Sequence, residues 1–236
     1  MLDATVRSAK HAAMPGNSAV AVFAPRASAP PLGQGEIHVW FFTHTDSGAR
    51  ATAGAARMVL ARLLCRYADL DAPPAIERGA HGKPFAPGLP DIEFNLSHAG
   101  AQVLLAFARG QALGIDLERI DRRLSLDGIA KRFFAEPEAR ALQRLPEHAR
   151  LRAFLRLWTH KEAVLKALGV GIGFGLERIE FELDPDGEIA SLLRIAAQAG
   201  EPERWQLHRL DPAPGLFGAL AWHGPPRLLR TFTLLP

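Results

Sequence analysis

The sequence predicts an α+β protein built from two halves of similar size, and three observations lead to this class. Strand-like and helix-like segments follow one another in the order strand, helix, loop and strands, and then helices and strands again. The chain has 236 residues, which is enough for one large domain or two of roughly 100 residues each. Hydrophobic residues make up 48% of the chain and charged residues 22%, a composition typical of a globular protein with a sizeable core.

The first elements follow an N-terminal segment of low complexity. Residues 1–34 are rich in Ala, Pro and Ser, so we expect a flexible N-terminal extension there. A strand is predicted over residues 36–42 from its run of apolar and aromatic side chains. A helix is predicted over residues 49–67, because apolar positions recur there at helical spacing.

The first half is predicted to end in a loop and a hairpin. Turn-forming residues are dense at the start of residues 81–100, which indicates a structured loop. Two strands, over residues 102–108 and 112–118, are separated by Arg-Gly-Gln and are predicted to form a hairpin.

The second half opens with helical signals. Pro137 suits the first turn of a helix that begins near Glu136, because proline has a fixed φ and no N–H donor. A longer helix is predicted from Glu147 to Leu168 and ends at Gly169, since glycine readily adopts the left-handed C-cap conformation. Four strand-like segments follow, separated by turns that contain Pro or Gly: RIEFEL, RWQLHRL, FGALAW and LLRTFTLL.

These elements divide the chain near residue 112. We therefore expect an N-terminal α+β module over residues 35–112 and a C-terminal α+β module over residues 113–236. The predicted extension precedes both modules.

Charge and cysteine content indicate the compartment and the class of partner. The net charge is +3 and the isoelectric point is near 9.4, which mildly favours anionic partners. Cys65 is the single cysteine, so no internal disulfide can form and a reducing compartment is expected. Its place in a helical apolar stripe is typical of a buried structural thiol.

No apolar run approaches the ~18 residues of a membrane span, and no signal-peptide pattern opens the chain. We therefore expect a cytoplasmic protein with no membrane partner.

Two acids stand close together in the segment GIDLE. Asp116 and Glu118 are two residues apart on a predicted strand, so both carboxylates point to the same face, while Ile115 and Leu117 point to the core. Like charges at this spacing repel each other unless a cation compensates them. The segment is either a solvated strand end with two surface acids or one side of a metal site.

A second candidate segment is WTHKEAVLK, within the long predicted helix. Glu162 and Lys166 are one turn apart, a spacing that also suits a surface ion pair worth roughly 0.3–0.5 kcal/mol. Trp158 is one turn earlier and suits core packing. The glycine-rich run GVGIGFG follows this helix instead of opening one, so it cannot direct helix N-terminal amides at an anion and is not a P-loop.

The two segments together predict a phosphoryl-transfer site. Asp116, Glu118 and Glu162 offer the hard oxygen ligands that Mg²⁺ prefers. Positive charge for a polyphosphate would come from four further side chains: Lys83, His98, Lys161 and Lys166. Acids for a metal and bases for phosphates are the combination that phosphoryl transfer requires.

Four short motifs of the sequence resemble those of a known protein family. GIDLERI followed by WTHKEAVLKALGVGI resembles the signature pair of the 4'-phosphopantetheinyl transferases. Upstream, GKPF and FNLSH match two further motifs of the longer, surfactin (Sfp) type of that family. The four motifs occur in the expected order, and the resemblance covers residues 36–222.

The resemblance implies a fold and a set of site residues. The fold would be two similar α+β modules related by a pseudo-twofold, with coenzyme A in the cleft between them. Asp116, Glu118 and Glu162 match magnesium-binding acids, and Lys166 matches the lysine near the transferred phosphate. The resemblance also implies contacts with coenzyme A by Lys83, Ser97, His98, Lys161 and Lys166, and by Arg50 and Arg57 for the 3'-phosphate.

The implied activity is transfer of the 4'-phosphopantetheine arm of coenzyme A to a serine of an apo acyl or peptidyl carrier protein, releasing adenosine 3',5'-bisphosphate. Glu162 would take the serine proton, either directly or through a metal-bound water, with Asp116 and Lys166 completing the catalytic set. We expect a monomer that binds no nucleic acid, and a carrier-binding surface in residues 119–132, including Arg122 and Arg123.

The alternative function is that of a non-catalytic basic module that binds nucleotides or nucleic acid. His160 has no role in this scheme and is expected on the helix surface.

Overall fold

The computed structural model describes residues 21–45, 48–121 and 126–235. Within these ranges the helices are α1 (Ala49–Ala68), α2 (Leu126–Phe133), α3 (Glu136–Arg144) and α4 (Glu147–Leu168). The strands are β1 (Ala24–Arg26), β2 (Glu36–Thr43), β3 (Glu77–Arg78), β4 (Pro84–Phe85), β5 (Ile92–Ala99), β6 (Gln102–Arg109), β7 (Gly114–Arg119), β8 (Glu180–Leu183), β9 (Ile189–Arg194), β10 (Trp205–Leu210), β11 (Leu216–His223) and β12 (Leu228–Leu234). The mixture of helices and sheets confirms the predicted α+β class.

The larger sheet has five strands in the order β1-β12-β2-β6-β5. β12 runs parallel to both β1 and β2, whereas β6 pairs antiparallel with β2 and β5. Helix α1 packs on this sheet through its buried stripe, which includes Leu60 and Leu64. These side chains share a core cluster with Trp40, Phe94 and Phe107 of the sheet.

The smaller of the two main sheets has three strands in the order β10-β11-β7, and α4 packs against β7 and β11. β3 pairs with β4, and β8 with β9, in two separate two-stranded sheets. A further core lies between the two sheets and contains Val39 and Leu104 from the larger sheet. Ile115, Leu117 and Leu220 enter the same core from the smaller sheet. The predicted inward direction of Ile115 and Leu117 is therefore confirmed.

The predicted hairpin of β6 and β7 is wrong. β6 pairs with β2 and β5, while β7 pairs with β11 about a hundred residues later in the chain. The structure also differs from the predicted loop over residues 81–100, because its second half is strand β5. Ile92 and Phe94 of β5 are buried, so burial favours the extended conformation after the turn-rich start of the segment.

The predicted bounds of the helices agree more closely with the structure than the predicted strand pairing does. α4 has the predicted bounds, and Gly169 caps it with a φ of 70° in the left-handed region. α1 ends one residue beyond the predicted position. Cys65 on α1 is a half-buried free thiol. Within the described ranges, no helix combines the length and apolar character needed to cross a membrane.

Both ends of the described chain join the larger sheet. β1 lies within the predicted N-terminal extension, and Ala29 and Leu32 are buried in the core beneath α1. Residues 21–34 therefore belong to the folded protein, while residues 1–20 lie outside the described residues. At the other end, β12 returns from the predicted C-terminal module to pair with β2, so the chain crosses the boundary expected near residue 112.

Candidate active site

A cavity of about 720 Å³ opens between α1, the β3–β4 hairpin, β5 and the C-terminal end of α4. This volume lies within the range of small-molecule sites. The described part of its wall contains no Asp or Glu, and six basic side chains line it: Arg57, Arg78, His81, Lys83, His98 and Lys166. A wall with one sign of charge attracts a ligand of the other sign, so the cavity suits an anion with several charges.

Asp116 on β7 is tied to the edge of this cavity through Lys166. The Lys166 Nζ lies 2.6 Å from Asp116 Oδ1, and the Ser97 hydroxyl donates to the same oxygen at 2.9 Å. Lys166 also donates to Ser97 Oγ at 3.1 Å. The second oxygen, Asp116 Oδ2, is buried and has no hydrogen-bond partner among the described residues. A buried carboxylate oxygen in this state suits a cation, because leaving such a group unpaired is costly.

Gly114 permits the close approach of α4 and β7 that creates this contact. A Cβ at position 114 would lie 2.0 Å from the carbonyl oxygen of Ala163 and 2.3 Å from the amide nitrogen of Ala167. Both are backbone atoms of α4 and cannot move aside as a flexible side chain can. The absence of a side chain at Gly114 therefore brings Lys166 within reach of Asp116. Gly114 is the first residue of the GIDLE segment, and no role was predicted for it.

The three acids predicted as metal ligands are only partly brought together. Asp116 and Glu118 lie on β7, and Glu162 lies on the adjacent helix α4, where Glu118 and Glu162 are half-buried. In the described ranges, no group of three or more His, Cys, Asp or Glu side chains is placed to hold a metal ion. The cation beside Asp116 in this structure is the Lys166 ammonium. The expected three-acid cluster is thus not present as such.

Five of the seven predicted coenzyme A contacts line the cavity, and Lys166 is one of the five. Lys83, Ser97, His98 and Arg57 all line the cavity, whereas Arg50 is exposed outside its described wall.

Lys83 also makes contacts with the backbone of the second half. Its amine donates to Leu113 O at 3.0 Å and to Ala167 O at 3.5 Å. Burial lowers the pKa of this amine, an effect that the charge of Glu93 opposes. Lys83 therefore joins the β4 segment to the elements that carry the acids, as well as facing the cavity.

Lys161 was predicted to bind coenzyme A, and the structure places it elsewhere. Its side chain is fully buried, 2.7 Å from Glu138 Oε2, and it donates to the carbonyl oxygens of Leu176 and Ile179. Burial lowers the pKa of Lys161 and raises that of Glu138, and each opposes the shift of the other. At 3.6 residues per turn, Lys161 and Lys166 are about 140° apart around α4, so they cannot face one ligand.

His160 is another departure from expectation. It is 1% exposed, and its Nδ1 lies 2.7 Å from the carbonyl oxygen of Arg156. Burial lowers its pKa to about 4. The imidazole is therefore a neutral core group instead of a surface residue.

We expect the replacement of Lys161 with Met to lower the free energy of unfolding by about 3 kcal/mol, because Glu138 would keep a buried carboxylate without its cation. Urea unfolding measures this difference. The control is Lys131→Met on the exposed face of α2, which should change stability by less than about 0.5 kcal/mol. A Lys161→Met protein as stable as wild type would contradict a structural role.

Two cavity-side residues were not singled out from the sequence. Asn95 on β5 is 4% exposed and its Oδ1 accepts the N–H of Ile115 at 2.9 Å. Arg78 lines the cavity and donates to the carbonyl oxygen of Gly82 at 2.9 Å. For Asn95, the available signal was its place in the FNLSH motif, two residues before Ser97.

A nucleic-acid-binding module would need unpaired arginines on its surface, and two arginines of this chain are paired with acids instead. Arg156 is 1% exposed and contacts Asp211 at 2.5 Å and Glu188 at 3.3 Å. Arg119 pairs with Asp121. Arg122 and Arg123, named for the carrier-binding surface, lie outside the described residues. Arginines that are paired with acids do not form the basic stripe that nucleic acid requires.

Comparison with known proteins gives a consistent set of relatives. Residues 112–216 match the family model of the 4'-phosphopantetheinyl transferase superfamily. The chain is 38% identical over 110 residues to 4'-phosphopantetheinyl transferase Sfp of Bacillus subtilis, a match that covers 47% of this chain and 48% of that protein. It is 40% identical over 131 residues to 4'-phosphopantetheinyl transferase HetI of Nostoc, covering 56% and 52%.

A second Bacillus subtilis relative, named 4'-phosphopantetheinyl transferase, is 32% identical over 151 residues, covering 63% of this chain and 65% of that protein. The chain thus spans about half to two thirds of the length of these three curated relatives. The matched family segment, residues 112–216, contains Asp116, Glu162 and Lys166.

Proposed function

Because the chain belongs to the 4'-phosphopantetheinyl transferase superfamily, we propose that it moves the 4'-phosphopantetheine arm of coenzyme A to a serine of an apo acyl or peptidyl carrier protein. The second product is adenosine 3',5'-bisphosphate. The observation that carries this proposal is the basic cavity that ends at the Lys166–Asp116 contact. It offers one surface for a polyphosphate and, beside it, an acid with a buried unpaired oxygen.

The basic wall is proposed to hold the phosphates of coenzyme A. Lys83, His98 and Arg57 line the cavity and can donate to phosphate oxygens. Lys166 is at the junction of the cavity and Asp116, so its ammonium can stabilise charge that develops on the transferred phosphate. Both halves of one chain supply this wall, and we therefore propose that the enzyme works as a monomer.

The residues present suit Mg²⁺ in their chemistry. Asp116 presents its buried unpaired Oδ2, and Glu118 and Glu162 are carboxylates on the same strand and on the adjoining helix. These three side chains would hold the ion through the hard oxygen ligands it prefers. When bound, Mg²⁺ would neutralise the pyrophosphate and polarise the phosphorus.

The transfer itself is a phosphoryl-group exchange. The serine oxygen of the carrier forms a bond to the phosphorus next to pantetheine, and the bond from that phosphorus to the bridging oxygen breaks. That oxygen leaves with adenosine 3',5'-bisphosphate. Glu162 is the proposed base that takes the serine proton. The charged groups are held in place by hydrogen bonds before the reaction, which lowers the cost of reorganisation.

The test is incubation with coenzyme A, Mg²⁺ and a panel of apo carrier proteins. We expect a mass gain of one phosphopantetheine on at least one carrier, measured by intact-protein mass spectrometry. Adding EDTA should stop the reaction and excess Mg²⁺ should restore it. A non-catalytic nucleotide-binding module would bind coenzyme A in the same experiment without modifying any carrier. Loading that continues at the same rate in EDTA would remove the metal from the proposal.

A further inference from the structure

Asp116 lies on β7, and the residue before it, Ile115, has both of its peptide groups hydrogen-bonded to side chains. β7 is the last strand of the three-stranded sheet and pairs on one side with β11. At Ile115, the N–H donates to Asn95 Oδ1 at 2.9 Å and the carbonyl accepts from Lys166 Nζ at 3.1 Å. Two side chains therefore complete the hydrogen bonding of this residue.

The Asn95 contact joins two sheets. β5, which carries Asn95, is the last strand of the five-stranded sheet. Asn95 and Ser97 are two residues apart on β5 and so lie on the same face. Asn95 holds Ile115, and Ser97 holds the next residue, Asp116, at 2.9 Å. Consecutive residues of β7 are thus tied to one face of β5.

We infer that Asn95 is a positioning residue, which holds the Asp116 segment of β7 in the place that the transfer requires; this inference rests on the proposed function. Asn95 carries no charge that could neutralise a phosphate, and its side chain is buried against β7. Without its acceptor, the N–H of Ile115 would be left unpaired in a buried position. The strand would shift to satisfy that group, and Asp116 would move relative to Lys166.

This role predicts a particular division of kinetic effects. Asn95 itself lines the cavity, but it is uncharged, and wall residues proposed to hold the phosphates, such as Lys83 and His98, lie on other segments than Ile115. The coenzyme A site should therefore survive the loss of Asn95, whereas the alignment of the reacting groups should not. A loss confined to the chemical step appears in kcat, and a loss of ground-state binding appears in KM.

The test compares Asn95→Leu, which has similar size but no acceptor, with wild type. We expect kcat for carrier loading to fall on the order of 100-fold, as misplacement by about 1 Å can cause. KM for coenzyme A should stay within about threefold of wild type. Calorimetric binding of coenzyme A without metal should also be unchanged. By NMR hydrogen exchange, the Ile115 amide should exchange at least about tenfold faster than in wild type, because its bond is lost.

Two further variants make the result specific. Trp205→Phe removes another buried hydrogen bond, from Trp205 Nε1 to Ala199 O at 3.0 Å, and it should leave kcat and the Ile115 amide unchanged. Asn95→Asp keeps the size and the acceptor oxygen. It should restore the protection of the Ile115 amide and bring kcat to within about tenfold of wild type.

Wild-type kcat or an equally protected Ile115 amide in Asn95→Leu would overturn the inference. If Asn95→Leu does not fold, Asn95→Asp is the deciding variant. An Asn95→Asp protein that protects the Ile115 amide and loads the carrier supports positioning through the acceptor oxygen. An Asn95→Asp protein that loses both the protection and the loading contradicts it. Wild-type protein that loads no carrier would instead refute the proposed function. The two failures are therefore distinguishable.

Discussion

Replacement of Asp116 with Asn is expected to reduce carrier loading by on the order of 1,000-fold or more, while the protein remains folded. The carboxylate contacts both the Lys166 ammonium and the Ser97 hydroxyl. Asn keeps the shape but removes the charge that a metal ion and the Lys166 ammonium both need. Losses of this size follow when a preorganised electrostatic contact is removed from a reacting site.

The stability of the Asp116→Asn protein is part of this prediction. Two repelling acids would favour a neutral or stabilising effect on the metal-free protein. The structure favours the opposite effect, because Asp116 is paired with Lys166 at 2.6 Å. We therefore expect a loss of about 1–3 kcal/mol in unfolding free energy. Thermal unfolding measured beside turnover separates the two effects.

Asp91→Asn is the matched control for the loss of an acid. Asp91 is 55% exposed and pairs with Arg109 on the surface before β5. Loss of that exposed pair should cost less than about 1 kcal/mol and leave loading unchanged. Normal loading by Asp116→Asn would remove the Lys166–Asp116 contact from the mechanism.

Replacement of Gly114 with Ala is expected to leave little folded protein. The added methyl would lie 2.0 Å from Ala163 O and 2.8 Å from the carbonyl carbon of Lys166. Relief of this clash requires α4 to move away from β7, which would separate buried side chains along the whole contact. We expect a destabilisation above about 5 kcal/mol, beyond the range of ordinary point mutations. Soluble yield, circular dichroism and thermal unfolding measure it.

Gly54→Ala is the control for the glycine change. Gly54 lies within α1, and a Cβ there would meet no atom within 4 Å. Since Ala favours helix over Gly, this variant should be more stable by roughly 0.5–1 kcal/mol. A Gly114→Ala protein with wild-type unfolding would show that α4 can retreat at little cost, and would contradict a close-packed α4–β7 contact.

Much of the local structure was predictable from neighbouring residues. The bounds of α4 follow from its apolar spacing and from Gly169, which caps it in the left-handed conformation. The inward direction of Ile115 and Leu117 follows from the alternation of side chains along a strand. These features depend on residues a few positions apart, and short-range order is visible in a sequence.

Strand pairing was predicted less well. The hairpin of β6 and β7 was wrong because β7 pairs with β11, far along the chain. The N-terminal segment contributes β1 and buried residues to the larger sheet, although its composition indicates an extension. Pairing partners are selected by which faces must be buried together, and adjacent residues do not contain that information.

For the site, the sequence by itself determined the residue types and their local spacing. Asp116, Glu162 and Lys166 were recognisable as a set with the chemistry of phosphoryl transfer. Only the tertiary structure decided which of the basic residues face the cavity: Lys166 does, and Lys161 is buried against Glu138. It also showed Asn95 holding Ile115 from a strand of the other sheet. The physical reason is that the direction of a side chain is set locally, whereas its partner depends on how distant elements pack.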